Sequence, residues 1–240
     1  MYQVLTKPKT LSVSRRELKY MVSLTDRVYL LNALSQILTP DAYGDYNGYT
    51  VRSMYFDSIS NEDYMDKVLK NEKKKRVRLR IYTTKDTVVK FEIKRKLFGR
   101  ELKETITISK EDALELIDGN YSVLLNYGSD ISEYAYNLLS TENYRPVSIV
   151  EYDRRAFTHN NFNTRITLDN NLRSNTFSTD FFSDKINFNN LLPLDKTILE
   201  VKYDRFLFSQ VQDVLNNCDF CEQPPSKYGS CRQLLQNYYY

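Results

Sequence analysis

Glycine is scarce in this chain, with 6 in 240 residues; tryptophan is absent, and there are only 3 cysteines and 1 histidine. So few glycines argue against a loop-dominated fold. Three cysteines without an export signal fit a reducing cytoplasm and exclude a disulfide scaffold. No apolar run reaches the roughly 18 residues of a membrane span, and the best stretch, Val28 to Leu38, is broken by Asn32, Ser35 and Gln36. The N-terminus lacks the apolar region of a signal peptide. No GxxxxGK[ST] occurs, which excludes a P-loop. Nor is one sign of charge in excess: 34 basic against 31 acidic residues leave a net +3. Any preference for a polyanion must therefore come from local clustering. What is abundant is apolar and aromatic surface, at 41% hydrophobic with 20 Tyr and 12 Phe, enough for a substantial core. With no internal repeat, low-complexity segment or linker, the expectation is one domain over residues 1–240.

The charge clusters on strands. Between Lys73 and Lys103 two runs alternate with period two. In the first, Arg76, Arg78 and Arg80 share one face and Val77, Leu79 and Ile81 the other. In the second, Lys90, Glu92, Lys94 and Lys96 oppose Val89, Phe91, Ile93 and Leu97. A third run, Glu101 to Ile108, sets Lys103, Thr105 and Thr107 against Leu102, Ile106 and Ile108. The pattern recurs at Arg15 to Val22, where Arg15, Glu17, Lys19 and Met21 oppose Leu18, Tyr20 and Val22. It returns in a hairpin of Val147 to Phe157 with Thr164 to Leu168, where Arg165, Thr167 and Asp169 oppose Ile166 and Leu168. Thr197 to Asp204 closes the series, with Glu200 and Lys202 opposite Leu199, Val201 and Tyr203. Tyr49 to Asp57 reads as a further strand.

Helices are predicted between these runs. One, capped by Thr25 or Asp26, extends to Leu38 with a stripe of Val28, Leu31, Leu34 and Leu38. Others cover Asn61 to Leu69 with a cap at Ser60 or Asn61, a segment opened by Ser109 and Asp112, Ile131 to Leu139, Phe208 to Asn216 and Tyr228 to Leu235. Met1 to Ser12 is an irregular lead-in, and Asn170 to Leu192 has no clear period.

A single amphipathic strand puts its charges in water. Six or more with mixed Lys, Arg and Glu suggest instead a sheet rolled with the charged faces inward, its apolar outside covered by helices. The fold class expected is α+β: an antiparallel β-barrel tunnel with a charged interior, flanked by amphipathic helices. Packing like charges inside is costly unless a highly charged ligand fills the space. Lysines and arginines suit phosphoryl oxygens, and glutamates among them suit a divalent metal bridging those oxygens.

Eight segments in order carry a family resemblance: RRELKY from Arg15, SMYFD from Ser53, RVRLRIY from Arg76, EIKRK from Glu92, YDRRAF from Tyr152, TRITLD from Thr164, LEVKYD from Leu199 and SKYGSC from Ser226. Together they resemble the VTC domain, the polyphosphate-polymerase domain of the vacuolar transporter chaperone family within the triphosphate tunnel metalloenzymes. The resemblance implies transfer of the γ-phosphate of ATP onto inorganic polyphosphate with Mn²⁺ or Mg²⁺. It implies that Lys19 acts at the reacting phosphate, with Glu17 beside it among the substrate-binding residues. By the same resemblance Arg78, Arg80 and Lys94 clamp phosphate oxygens, Arg154 and Arg165 join them from the later hairpin, and Lys103, Lys202 and Lys227 bind phosphate. Glu200 resembles the metal-binding glutamate. Arg155 falls on the parity opposite Arg154. Glu104 stands where the family often has a second basic residue.

Other readings attach to particular residues. Lys70 to Arg80 could bind nucleic acid, but the strict alternation and near-neutral balance favour phosphate chains without nucleic acid. Cys218 and Cys221 form a CxxC whose only other thiol is Cys231, which suits free thiols better than zinc. His159 falls in a polar turn and reads as solvated. Within the tunnel class, a non-catalytic polyphosphate sensor and a triphosphatase are the alternatives to a polymerase. Relatives with appended membrane domains raise the prospect of a membrane-protein partner.

Overall fold

The computed structural model describes residues 15–44, 47–98, 100–160, 163–176, 178–220 and 226–238. The lead-in and Cys221 lie outside the described residues. Among the described residues ten strands form one antiparallel sheet. They are β1 (Arg15–Val22), β2 (Thr39–Pro40), β3 (Tyr49–Ser58), β4 (Lys74–Ile81), β5 (Val88–Leu97), β6 (Arg100–Ser109), β7 (Tyr144–His159), β8 (Thr164–Asn175), β9 (Asn189–Asn190) and β10 (Thr197–Asp204). The strand order is β1-β10-β8-β7-β3-β4-β5-β6, with β2 on β7 and β9 on β8.

The sheet is strongly rolled. The Lys94 charge on β5 is felt by Lys202 on β10, and Lys19 on β1 is felt by Glu101 on β6, so strands far apart in the order face each other. No β1–β6 ladder forms among the described residues, so the roll is open along one seam rather than closed by hydrogen bonds. Antiparallel pairing, inward charge and helical cover are otherwise as the alternation predicts.

Register puts the charges on one face. Lys19 pairs with Glu200 and Glu17 with Lys202 across β1–β10; Glu200 pairs with Thr167 and Lys202 with Arg165 across β10–β8. Arg154 faces Asp169 across β7–β8, and Arg78 faces Glu92 across β4–β5. Lys94 then meets Lys103 across β5–β6. A slip of one residue anywhere would turn these charges onto the apolar side.

Two cores lie outside the roll. Met54, Phe56, Val77, Leu79, Phe91 and Ile93 pack beneath α3 (Lys110–Ile117), the 3-10 segment Tyr121–Tyr127 and α4 (Asp130–Thr141). Leu168, Leu199 and Val201 pack beneath α1 (Leu24–Ile37) and α5 (Ser209–Asn216). Each such side chain contributes about 1.5–3 kcal/mol on burial. α1 buries most of the stripe its spacing predicts, Leu34 and Leu38 with Leu31 packed beside them, but Leu30 joins them and Val28 is 53% exposed. Its cap is Ser23, whose Oγ accepts from Asp26 N at 3.1 Å, in place of Thr25 or Asp26.

α2 (Glu62–Val68) is capped from a distance. Asp57, fully buried at the end of β3, accepts from Asp63 N (2.9 Å) and Tyr64 N (3.1 Å), while Asn61 makes no side-chain cap. Ser109 caps α3 as its sequence predicts, accepting from Asp112 N at 3.0 Å. Pro146 lies inside β7, not before it, opposite Phe56 where the β3–β7 register shifts; a residue without an N–H fits a bulge. Part of the aperiodic stretch after Asn170 is also strand, since β8 runs to Asn175 and β9 pairs with it.

The last helix, α6 (Lys227–Tyr238), departs from the outer layer. Its Tyr228 and Cys231 pack with Val51, Tyr55 and Tyr152, side chains of the inner face, and so stopper one end of the roll. Cys218 and Cys231 are free, buried thiols, and burial pushes the Cys218 thiol up to about 11.

Candidate functional site

The inner face holds its charge in knots, each built around a carboxylate. Glu92 on β5 is the first. Arg78 reaches it through Nε and Nη2, both at 2.7 Å, Lys103 Nζ lies 2.5 Å from Oε1 and Arg80 Nη2 lies 3.5 Å from Oε2. Burial alone would raise the Glu92 carboxyl, but Arg78, Arg80 and Lys103 together bring it down to about 2. The crowding also acts on the cations. Burial holds the Lys103 ammonium below its ordinary value despite Glu92, with Arg80 and Arg78 adding to the effect.

Asp169 on β8 is the second knot. Arg154 grips it with two bonds of 2.7 Å, and Lys227 from α6 adds a third contact at 2.8 Å. Against a fully buried setting, Arg154 and Lys227 bring the Asp169 carboxyl to about 2. Fork-to-fork pairing of this kind fixes the guanidinium plane as well as neutralising it. The backbone beneath Arg154 is fixed by Gly48 (φ +85°), where a Cβ would meet the Arg154 carbonyl oxygen at 2.3 Å.

The third knot joins two carboxylates. Lys19 Nζ lies 2.6 Å from Glu17 and 3.4 Å from Glu200, and Lys202 Nζ lies 3.2 Å from Glu200 and 3.9 Å from Glu17. Burial raises the Glu17 carboxyl, and its hydrogen bond to Glu200 raises it further. Glu200 goes the other way: burial opposes the charge, but the bond from Glu17 and the ammoniums of Lys202 and Lys19 hold it well below the carboxylate range. Of the two, Glu17 is therefore the carboxyl that takes up a proton first as pH falls.

A fourth group stands at the mouth opposite α6. Arg165 Nη2 donates to Asp41 at 2.6 Å and lies 3.2 Å from the Tyr49 hydroxyl, which in turn donates to Asp41 at 2.9 Å. A cavity of about 370 Å³ opens here, lined by Arg80, Lys90, Lys103, Arg154 and Arg165 together with Tyr43 and Tyr82. Lys94 belongs to the same face but pairs with Glu101 at 2.7 Å. Arg155 is on the outer side, over the Phe157 ring and within electrostatic reach of Arg27 of α1, which resolves its parity.

All eleven residues singled out by alternation and resemblance therefore lie along one inner surface: Glu17, Lys19, Arg78, Arg80, Lys94, Lys103, Arg154, Arg165, Glu200, Lys202 and Lys227. Three residues that organise it were not among them. Glu92 and Asp169 were legible as members of the charged faces, since parity alone puts them beside the cations. Asp41 had no such signal, because it lies in the loop after β2.

The donor set suits a hard divalent cation at one place. Glu17 and Glu200 lie within hydrogen-bond reach of each other and present oxygens that one cation can share. Mg²⁺-type sites use one or two carboxylates and complete their shell with substrate phosphate and water. No cluster of three or more His, Cys, Asp or Glu forms among the described residues.

Residues 14–236 match the VTC domain. The chain belongs to the VTC domain family. Membership ties this chain to polyphosphate and triphosphate chemistry. No curated protein matches the sequence. Among solved structures the VTC domain is similar to a putative adenylyl cyclase from Hippeastrum described as having a dominant triphosphatase activity. That likeness has a TM-score of 0.54 at 12% identity and covers 90% of this chain and 94% of the other. A putative adenylate cyclase from Bacillus halodurans matches with TM-score 0.48 at 15% identity, over 88% and 91% of the two chains. At these identities the Hippeastrum likeness shows a shared fold. Among the described residues no helix is long and apolar enough to cross a membrane.

Proposed function

We propose that this VTC domain is a polyphosphate polymerase that transfers the γ-phosphate of ATP onto the terminal phosphate of a growing inorganic polyphosphate. The observation that carries this reading is the inner face itself, on which lysines and arginines from β1, β4, β5, β6, β7, β8, β10 and α6 converge. Phosphoryl transfer needs positioning and charge neutralisation above all. Arg78, Arg80 and Lys103 form one wall against the phosphate chain, Arg154, Arg165 and Lys227 the other, and Lys94 and Lys202 extend the lining. Lys19, half-exposed beside Glu200, would meet the phosphorus under attack.

In the transfer, an oxygen of the acceptor's terminal phosphate bonds to the γ-phosphorus, and the bond to the β–γ bridging oxygen breaks to release ADP. The acceptor oxygen is already anionic, so no residue has to remove a proton. Glu200 with Glu17 would hold Mn²⁺ or Mg²⁺, which supplies further neutralisation of phosphate charge when bound. Glu17 is grouped by its sequence position with the phosphate-binding residues; its contact with Glu200 favours the cation, since an acceptor-only carboxylate repels phosphate.

A triphosphatase is the second reading, favoured by the fold shared with the Hippeastrum protein and its described activity. Incubation with ATP and Mn²⁺ separates the readings. Polymer on a stained gel, sensitive to phosphatase, is the expected result. Orthophosphate without polymer would identify a triphosphatase, and polyphosphate binding without either product a sensor. Glu200→Gln should abolish turnover while polyphosphate binding persists; full activity in that variant would refute the metal assignment.

A further inference from the structure

The phosphate-binding surface does not account for the tyrosines at its open mouth. Tyr43 is 66% exposed, yet its ring is stacked on Tyr82 with centroids 5.3 Å apart and planes 13° from parallel. Tyr82 is itself braced edge-on by Tyr49 at 5.7 Å and 68°. The turn that carries Tyr43 is pinned. Asp41 N donates to the Ala156 carbonyl at 3.0 Å, and the Asp41 carboxylate accepts from Tyr43 N at 3.2 Å as well as from Tyr49 and Arg165. One carboxylate thus orients both a phosphate-facing guanidinium and the exposed ring.

A phosphate chain has no use for an aromatic face. The ring is not core either, because its outer side remains in water. Tyr43 and Tyr82 line the same cavity as Arg80, Lys103, Arg154 and Arg165, so a ligand whose phosphates engage those cations would bring whatever it carries at its other end against the tyrosines. The far end of the roll differs: α6 fills part of it, and the surface recess there is lined by Lys70, Lys74, Lys96 and Phe98 with no stacked pair among the described residues.

We infer that the Tyr43–Tyr82 stack is a platform for the base of a nucleoside triphosphate, which enters by this mouth with its phosphates pointing inward. The inference rests on the ATP reading above and adds to it the residues that receive the donor's base. Stacking on a tyrosine face offers no base-edge hydrogen bonds, so the platform selects for a base without choosing strongly among bases.

The test is isothermal titration of the full chain with ATP and, separately, with inorganic tripolyphosphate, for the wild type, Tyr43→Ala and Tyr43→Phe. The loss of one base stack corresponds to about tenfold in affinity. Tyr43→Ala should therefore weaken ATP about tenfold and tripolyphosphate less than about twofold, whereas Tyr43→Phe should bind both like the wild type. Retained tripolyphosphate binding also certifies that the alanine variant is folded. Equal weakening of both ligands, or unchanged ATP affinity, overturns the platform and leaves the ATP reading intact. Failure of the wild type to bind either ligand overturns both.

Discussion

Glu17 and Glu200 illustrate how a residue's role depends on its neighbour's charge. The two carboxyls are pulled apart, Glu17 up by burial and its partner's hydrogen bond, Glu200 down by that bond and two ammoniums. A pair that holds one proton at low pH must give it up to hold a divalent cation. Metal affinity should accordingly rise with pH through the range in which Glu17 ionises, with a proton released on metal binding below that range. Calorimetry in buffers of different ionisation enthalpy measures that proton directly. Glu17→Gln should bind metal more weakly and with no proton release; a flat pH dependence in the wild type would separate the pair from the metal.

At the scale of elements, the β-strands supply cations and the connections aim them. Arg154 is held by Asp169 from one side and by the close approach of Gly48 from the other. At Gly48 both conditions for glycine hold, a positive φ and backbone within the space of a Cβ. Gly48→Ala is expected to cost about 1–3 kcal/mol and to displace β7 at Arg154, weakening phosphate binding along with stability. Urea denaturation and tripolyphosphate titration read the two effects. A variant with wild-type values in both would show that the β3–β7 approach is not needed to place Arg154. α6 acts similarly from the far end, since its Tyr228 hydroxyl donates to Asp57, the cap of α2, and its Lys227 reaches Asp169.

For the molecule as a whole, buried carboxylates of opposite behaviour set the dependence of stability on pH. Glu92 and Asp169, held at about 2, bind fewer protons folded than unfolded. Their stabilisation is complete above the ordinary carboxylate range and is lost as pH falls toward 2. Asp63 behaves inversely. Burial and the neighbouring Asp57 push it up to about 8, although Tyr144 donates to it at 2.9 Å and Lys75 lies 3.7 Å away. Folded Asp63 keeps a proton that the unfolded chain loses near pH 4, so stability falls between about pH 4 and 8, by at most about 1.4 kcal/mol per pH unit. The ligand-free protein should be most stable on the acidic side of neutrality. Asp63→Asn should flatten the alkaline limb in chemical denaturation across pH; an unchanged slope would place the effect elsewhere.

Much of this protein is written in local alternation. Arg78, Glu92, Lys94, Lys103, Arg165, Glu200 and Lys202 were identifiable because a strand's period of two sorts side chains by face whatever the strand pairs with. The same rule predicts the apolar outside, and Ser109 reads as a cap from its own neighbourhood. The eight ordered segments carry the resemblance to the VTC family in the sequence itself. What local pattern could not supply was the partner of each charge and the place of each helix. Pairing Glu17 with Glu200, gathering three cations on Glu92 and bringing Lys227 to Asp169 depend on register and roll, which join residues up to nearly two hundred positions apart. Asp41 and Tyr43 gain their roles only because the loop after β2 is folded against β3 and the ends of β4 and β8. The helix periodicity at Tyr228 likewise says that one side is buried, and only the tertiary fold puts that side inside the roll. Alternation determined which face would carry the cations; the long-range packing of the rolled sheet decided what they surround.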